Sequence, residues 1–158
     1  MRFAHTNIVS TDWKRLVDFY VATFACQVLP PLRKQSGAWL DRGTGMRNAY
    51  LEGAHLRLPG YDNDGPTLEI YQYRTVVETD APPPNRQGLG HLAFEVTNVA
   101  TLLEQVIQNG GQACGKLTEK DVAGVGRLTF VYARDPEGNL LELQHWDHSS
   151  PAAINTPK

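Results

Sequence analysis

Four residues carry the chemistry of this chain: His5, Glu69, His91 and Glu142. They alternate imidazole and carboxylate, and each falls in or beside a short apolar run suited to a β-strand. Two imidazole nitrogens and two carboxylates make the mixed nitrogen and oxygen donor set that a divalent metal ion (Zn, Ni, Co, Mn or Fe) accepts. Taken singly, a glutamate between Leu68 and Ile70 reads as a solvated strand residue, and a lone strand histidine as incidental. Their recurrence in one order changes that reading, because independently placed residues have no reason to repeat. The expectation is one divalent ion held by His5, Glu69, His91 and Glu142.

The elements that must position these residues also repeat. A shift of 86 residues places His5 on His91, Asp12 on Asn98, Leu16 on Leu102 and Val17 on Leu103. Residues 3–9 read as a strand. Ser10, Thr11 or Asp12 can cap a following helix whose apolar stripe is Leu16, Val17, Tyr20, Val21 and Phe24, and Pro30 and Pro31 close that element. Strands are expected at 38–40, 50–58 and 67–73, separated by the glycine-containing stretches 43–45 and 60–65. This is a βαβββ unit.

Residues 76–87 read as a linker, because Pro82-Pro83-Pro84 can neither continue a helix nor supply the donors of a central strand. The second half repeats the pattern. A strand at 91–96 is followed by a helix capped by Asn98, with the stripe Val99, Leu102, Leu103, Val106 and Ile107, which Gly110-Gly111 ends. Strands near 112–117, 128–133 and 140–146 complete it, with Asp135-Pro136-Glu137-Gly138-Asn139 as a turn. The organisation is thus an N-terminal module (1–75), a Pro-rich linker (76–87), a C-terminal module (88–146) and a loose tail (147–158).

Side chains alternate across a strand, so Glu69, Tyr71 and Tyr73 share one face, as do Glu142, Gln144 and Trp146. Tyr71, Tyr73, Gln144 and Trp146 are therefore the candidate substrate-binding residues. Glu52 reads as a solvated charge, and His55, His145 and His148 have weaker claims to the site. His145, three residues from Glu142, should face away from it in a regular strand.

Composition narrows the function classes. With 15 basic and 17 acidic residues among 158, the formal net charge is -2, and no Lys/Arg cluster resembles a nucleic-acid footprint. No run approaches the roughly 18 apolar residues of a membrane span, and Met1 leads almost directly into an apolar strand instead of a signal-peptide pattern. Neither nucleic acid nor a membrane is an expected partner, and a cytoplasmic location is the simplest reading. Cys26 and Cys114 lack a short metal-binding spacing and read as reduced, buried thiols.

The chain resembles the vicinal oxygen chelate superfamily, which includes glyoxalase I, methylmalonyl-CoA epimerase, extradiol dioxygenases, and bleomycin- and fosfomycin-resistance proteins. The resemblance covers about residues 3–146. It rests on His5 with the helix bearing Asp18-Phe19-Tyr20, on Pro66-Thr67-Leu68-Glu69 and Gly90-His91-Leu92-Ala93-Phe94, and on the run from Arg134-Asp135-Pro136 through Leu140-Leu141-Glu142-Leu143. It implies an α+β fold of two paired βαβββ modules forming a curled mixed sheet around a central cleft, and a homodimer.

Within that superfamily, alternating His, Glu, His, Glu resembles glyoxalase I and the epimerase more than the two-histidine, one-carboxylate dioxygenases. The resemblance thus implies a metal-dependent lyase or isomerase that moves a proton alpha to a carbonyl through a metal-stabilised enolate. Glu69 or Glu142 would be the catalytic base, and the substrate a small carbonyl compound or its thiol conjugate. The alternatives are a non-catalytic binder of the bleomycin-resistance type, or a dioxygenase or fosfomycin-resistance-type metalloenzyme. Val9 and Tyr71-Gln72-Tyr73 stand where bacterial glyoxalases usually carry an arginine and an Asn-Trp segment.

Overall fold

The computed structural model describes residues 1–149, which fall into two compact units that divide between Asp80 and Ala81. Most of the expected loose tail, from residue 150 onward, lies outside the described residues. The fold is α+β, and among the described residues each unit has one mixed sheet and neither sheet closes into a barrel.

In the first unit, β1 (His5–Val9) leads through Ser10 into α1 (Trp13–Phe24). Asp12 is the cap, accepting a hydrogen bond from Arg15 N at 3.2 Å, a device that contributes about 1 kcal/mol. The helix buries Trp13, Leu16, Val17, Phe19, Tyr20 and Phe24. Val21, placed in the apolar stripe by period alone, falls at its margin and is exposed. The chain continues as β2 (Gln27–Ser36), α2 (Ala38–Thr44), β3 (Tyr50–Arg57) and β4 (Thr67–Tyr73). The sheet order is β1-β4-β3-β2, with β1 parallel to β4 and the other pairs antiparallel.

Ala54, Leu56, Leu68 and Ile70, all at most 1% exposed, alternate with Gly53, His55, Glu69 and Tyr71 along β3 and β4. The first set forms the core with α1, which packs on these two strands. The second set occupies the opposite face, where Leu40, Ala49, Leu51 and Tyr71 make a smaller apolar cluster with Tyr73 against it. One face of the sheet therefore carries the fold and the other carries the carboxylate.

Two further expectations fail in this unit. Pro30 and Pro31, joined by a cis peptide bond, do not close the element but lie within β2. That strand is the sheet edge, where a missing N–H is tolerated, and its register shifts between Leu29 and Arg33. Residues 38–40 are not a strand but the start of α2, which runs through Gly43 and Thr44 and ends on Gly45 in the left-handed conformation (φ 73°).

The second unit consists of β5 (Leu92–Glu95), α3 (Val99–Gln108), β6 (Gln112–Ala113), β7 (Thr118–Val122), β8 (Gly126–Arg134) and β9 (Leu140–Asp147). Its sheet order is β5-β9-β8-β6, with β7 also paired to β8 and β5 parallel to β9. Asn98 caps α3 through Thr101 N at 3.0 Å. Val131, Ala133, Leu141 and Leu143, at most 1% exposed, form the apolar face with Val99 and Val106. Ile107 lies outside that face and is exposed.

The strand expected at 112–117 shrinks to Gln112–Ala113, and a separate strand, β7, follows it to form a hairpin with β8. The turn at 135–139 is as the residues suggest. Asp135, 2% exposed, accepts hydrogen bonds from Glu137 N and Asn139 N at 3.0 Å and from Asn139 Nδ2 at 2.8 Å. Arg134 donates to Gly138 O and to Pro82 O, each at 2.7 Å, tying the proline segment to this corner. Both cysteines are free; Cys26 is buried, whereas Cys114 is only half-buried.

Candidate active site

Strand register brings the expected residues together in two pairs, one in each unit. In the first, Asn7 of β1 lies opposite Glu69 of β4, two residues beyond His5. In the second, Ala93 of β5 lies opposite Glu142 of β9, two residues beyond His91. The duplication legible in the sequence thus extends to the ladder. His5 Nε2 is 3.4 Å from Glu69 Oε2, and His91 Nε2 is 3.2 Å from Glu142 Oε2.

The glutamate side chains are 10% and 15% exposed, the histidines 46% and 32%. A carboxylate so placed cannot draw on bulk water and takes its compensation from neighbouring donors. Around Glu69 these are His5, Asn7 Nδ2 at 3.4 Å from Oε2, Tyr71 Oη at 3.4 Å from Oε1, and His55 Nε2 at 2.9 Å from Oε1. Around Glu142 they are His91 and the hydroxyl of Tyr132, whose ring lies 5.2 Å from that of His91.

Burial, then the neighbouring Glu69 charge, pushes the Tyr71 phenol up to about 12, so it stays protonated as a donor. Burial outweighs the Glu69 carboxylate at His55 and lowers that imidazole below its ordinary value, favouring the neutral ring. Burial and Glu142 together raise Tyr132.

Other expected residues are placed as follows. Tyr71 links the apolar cluster to Glu69, while Tyr73 packs against that cluster without reaching the carboxylate. In β9, Trp146 Nε1 donates to Gln144 Oε1 at 3.2 Å on the strand face that carries Glu142. His145 turns away, its Nδ1 lying 2.9 Å from Val96 O. Glu52 pairs with Lys34 at 3.3 Å and accepts from the Tyr50 hydroxyl, on the strand face opposite Glu69. Two open clefts of about 290 and 240 Å³ share Tyr50 and Arg74 there.

The sequence alone undervalued His55 and gave no sign of Tyr132. Both face a glutamate across an antiparallel ladder: His55 opposite Glu69, and Tyr132 opposite Glu142. The signal lies in the register, which depends on where each connecting turn begins and ends.

Each pair presents one nitrogen and one oxygen donor of the types a divalent ion prefers. Ligands about 2.1 Å from a tetrahedral ion stand roughly 3.4 Å apart, so the separations in both pairs suit two vertices of such a site. Among the described residues, no three His, Cys, Asp or Glu side chains are gathered as a ready-made cation site. The donor chemistry of each pair fits a divalent metal ion.

Residues 2–143 match the model of the Glyoxalase/Bleomycin resistance protein/Dioxygenase superfamily. The chain is 26% identical over 147 residues to lactoylglutathione lyase of Escherichia coli O157:H7, covering 90% of this chain and 91% of that protein. Among solved structures, a glyoxalase family protein from Bacillus cereus aligns with TM-score 0.70 and 18% identity over 92% of this chain and 93% of that one. A glyoxalase I mutant from Zea mays aligns with TM-score 0.61 and 24% identity over 90% of this chain and 44% of the longer maize chain. These structures share the fold. The family match over nearly the whole sequence, on a fold in which two repeated units each set a histidine beside a glutamate, shows that the chain belongs to the Glyoxalase/Bleomycin resistance protein/Dioxygenase superfamily.

Proposed function

We propose that the protein is a metal-dependent lyase or isomerase that moves a proton alpha to a carbonyl in a small molecule or its thiol conjugate. The observation that carries this reading is the repetition of one His/Glu pair at equivalent ladder positions in both units. His5, Glu69, His91 and Glu142 would hold one divalent ion, which supplies Lewis acidity for negative charge developing on a substrate oxygen.

The protein's own groups supply the rest. His5 and His91 serve as neutral imidazole ligands. Glu69 or Glu142 accepts the proton and returns it to the same or a neighbouring carbon, the remaining glutamate assisting. The low exposure of both carboxylates strengthens their interaction with substrate charge and keeps water from competing for the proton. Tyr71, Tyr73, Gln144 and Trp146 contribute the aromatic and amide surface that orients the substrate. The similarity to lactoylglutathione lyase supports this reaction class, and hemithioacetals are the first substrates to try. A homodimer is part of the proposal.

Exchange of the substrate alpha proton with solvent deuterium, measured over a panel of hemithioacetals and acyl-CoA epimers, tests this reading. Exchange by the metal-loaded protein, reduced about 100-fold or more in Glu69→Gln or Glu142→Gln, is the expected result. Specific ligand binding without any exchange would assign the fold to sequestration instead.

A further inference from the structure

The two half-sites share a register but differ in what faces the carboxylate. Opposite Glu142 stands Tyr132; opposite Glu69 stands His55, and Tyr71 joins it from the next outward position on the same strand as Glu69. The oxygens of Glu69 are thereby divided. Oε1 faces His55 Nε2 at 2.9 Å and Tyr71 Oη at 3.4 Å, whereas Oε2 faces His5 Nε2 and Asn7 Nδ2, each at 3.4 Å. His55 Nε2 and Tyr71 Oη are themselves 2.6 Å apart. With its proton on Nε2, His55 shares that proton between Tyr71 Oη and Glu69 Oε1, while the Tyr71 hydroxyl donates to the same carboxylate oxygen.

The backbone is shaped for this contact. Gly53 pairs with Tyr71 across the ladder, and a Cβ there would lie 2.5 Å from Tyr71 Cδ1 and 2.0 Å from Ile70 O. The missing side chain lets the phenol ring lie over β3, where its hydroxyl reaches His55. His55, 19% exposed in its side chain, also meets the ring of His5 edge-on, with centroids 6.4 Å apart.

We propose that His55 and Tyr71 are positioning residues that hold Oε1 of Glu69, so that Glu69 offers a metal ion Oε2 alone, on the side of His5. This inference rests on the four-ligand reading and adds an asymmetry to it. Glu69 is a single-oxygen ligand held from behind by an imidazole and a phenol, while Glu142 faces the Tyr132 hydroxyl in place of an imidazole. Partners of this kind orient ligands and raise their affinity, and losing one weakens metal binding by roughly 10- to 100-fold.

The test uses Co(II) with the full-length protein, His55→Ala, His55→Gln and Tyr71→Phe. Affinity comes from chelator competition, the coordination number from the visible Co(II) absorption, and the folded state of each metal-free protein from circular dichroism and thermal unfolding. His55→Ala should weaken Co(II) binding by about 10- to 100-fold and lower the visible absorption, as the freed Oε1 joins the ion and raises its coordination number. Tyr71→Phe should move both readouts the same way by less, and His55→Gln, which keeps an N–H donor, should recover part of the loss. Should His55→Ala fail to fold, Tyr71→Phe and His55→Gln still decide the matter. Wild-type affinity and an unchanged spectrum in the folded variants would overturn this proposal and leave the four-ligand reading standing. Failure of the wild-type protein to take up Co(II) would overturn both.

Discussion

His55 and Glu69 are cross-strand partners in the β3–β4 ladder, and their side chains meet at 2.9 Å on the face of the sheet away from α1. Three features converge on this contact. Ala54, Leu56, Leu68 and Ile70 fix the strands against the helix, which forces the alternate residues to the other face. The β3–β4 register then sets the imidazole opposite the carboxylate. The apolar cluster of Leu40, Ala49 and Leu51 anchors the ring of Tyr71 beside them.

Gly53→Ala tests how tightly the strands enclose that ring. The added methyl would meet Ile70 O at 2.0 Å and Tyr71 Cδ1 at 2.5 Å, and the carbonyl belongs to the ladder and cannot swing aside. We expect a loss of about 3 kcal/mol by urea unfolding. A loss under about 0.5 kcal/mol would mean that β3 and β4 are looser than their geometry implies.

Asp135→Ala tests the corner that sets the β8–β9 register and so brings Tyr132 opposite Glu142. The substitution leaves Glu137 N, Asn139 N and Asn139 Nδ2 without their shared acceptor. Destabilisation of about 3 kcal/mol is expected, with Asp135→Asn milder because one acceptor oxygen remains. Equal stability of Asp135→Ala and wild type would contradict this role.

Cys26 gives the stability curve an alkaline slope. Burial raises its thiol from an ordinary 9.0 to about 11, so the unfolded chain releases this proton at lower pH than the folded one. The contribution is intact below pH 9 and lost as pH rises toward 11, amounting to about 2 kcal/mol by pH 10.5. Urea unfolding of wild type and Cys26→Ala at pH 8 and pH 10.5 isolates it, since titration of the tyrosines is common to both. Wild type should lose about 2 kcal/mol more than the variant over that interval, and parallel losses would show that Cys26 is not the source.

Much of this architecture can be read from the residues because helix and strand periods leave separate marks. Leu68, Glu69, Ile70 and Tyr71 alternate between core and opposite face, and Leu16, Tyr20 and Phe24 recur along one side of α1. What escapes the sequence depends on sheet position and register. Pro30 and Pro31 look like terminators until β2 proves to be an edge. Ala38-Trp39-Leu40 is too short a run to separate a helical turn from a strand, and the helix shows itself only by continuing to its Gly45 cap. His55 and Glu69 are 14 residues apart across a glycine-rich connection, and no local pattern announces that they pair.

The four-ligand site is tested by the metal content of the tag-free protein, stripped with chelator, reloaded with divalent ions and measured per chain by elemental analysis alongside thermal unfolding. About one tightly held ion is expected for each set of His5, Glu69, His91 and Glu142, with stabilisation of about 2.7 kcal/mol at 100 times the dissociation constant. Both gains should be lost in His5→Ala and in Glu142→Ala while the fold persists. Absence of specific uptake by folded wild-type protein, or uptake unchanged in both variants, would contradict it.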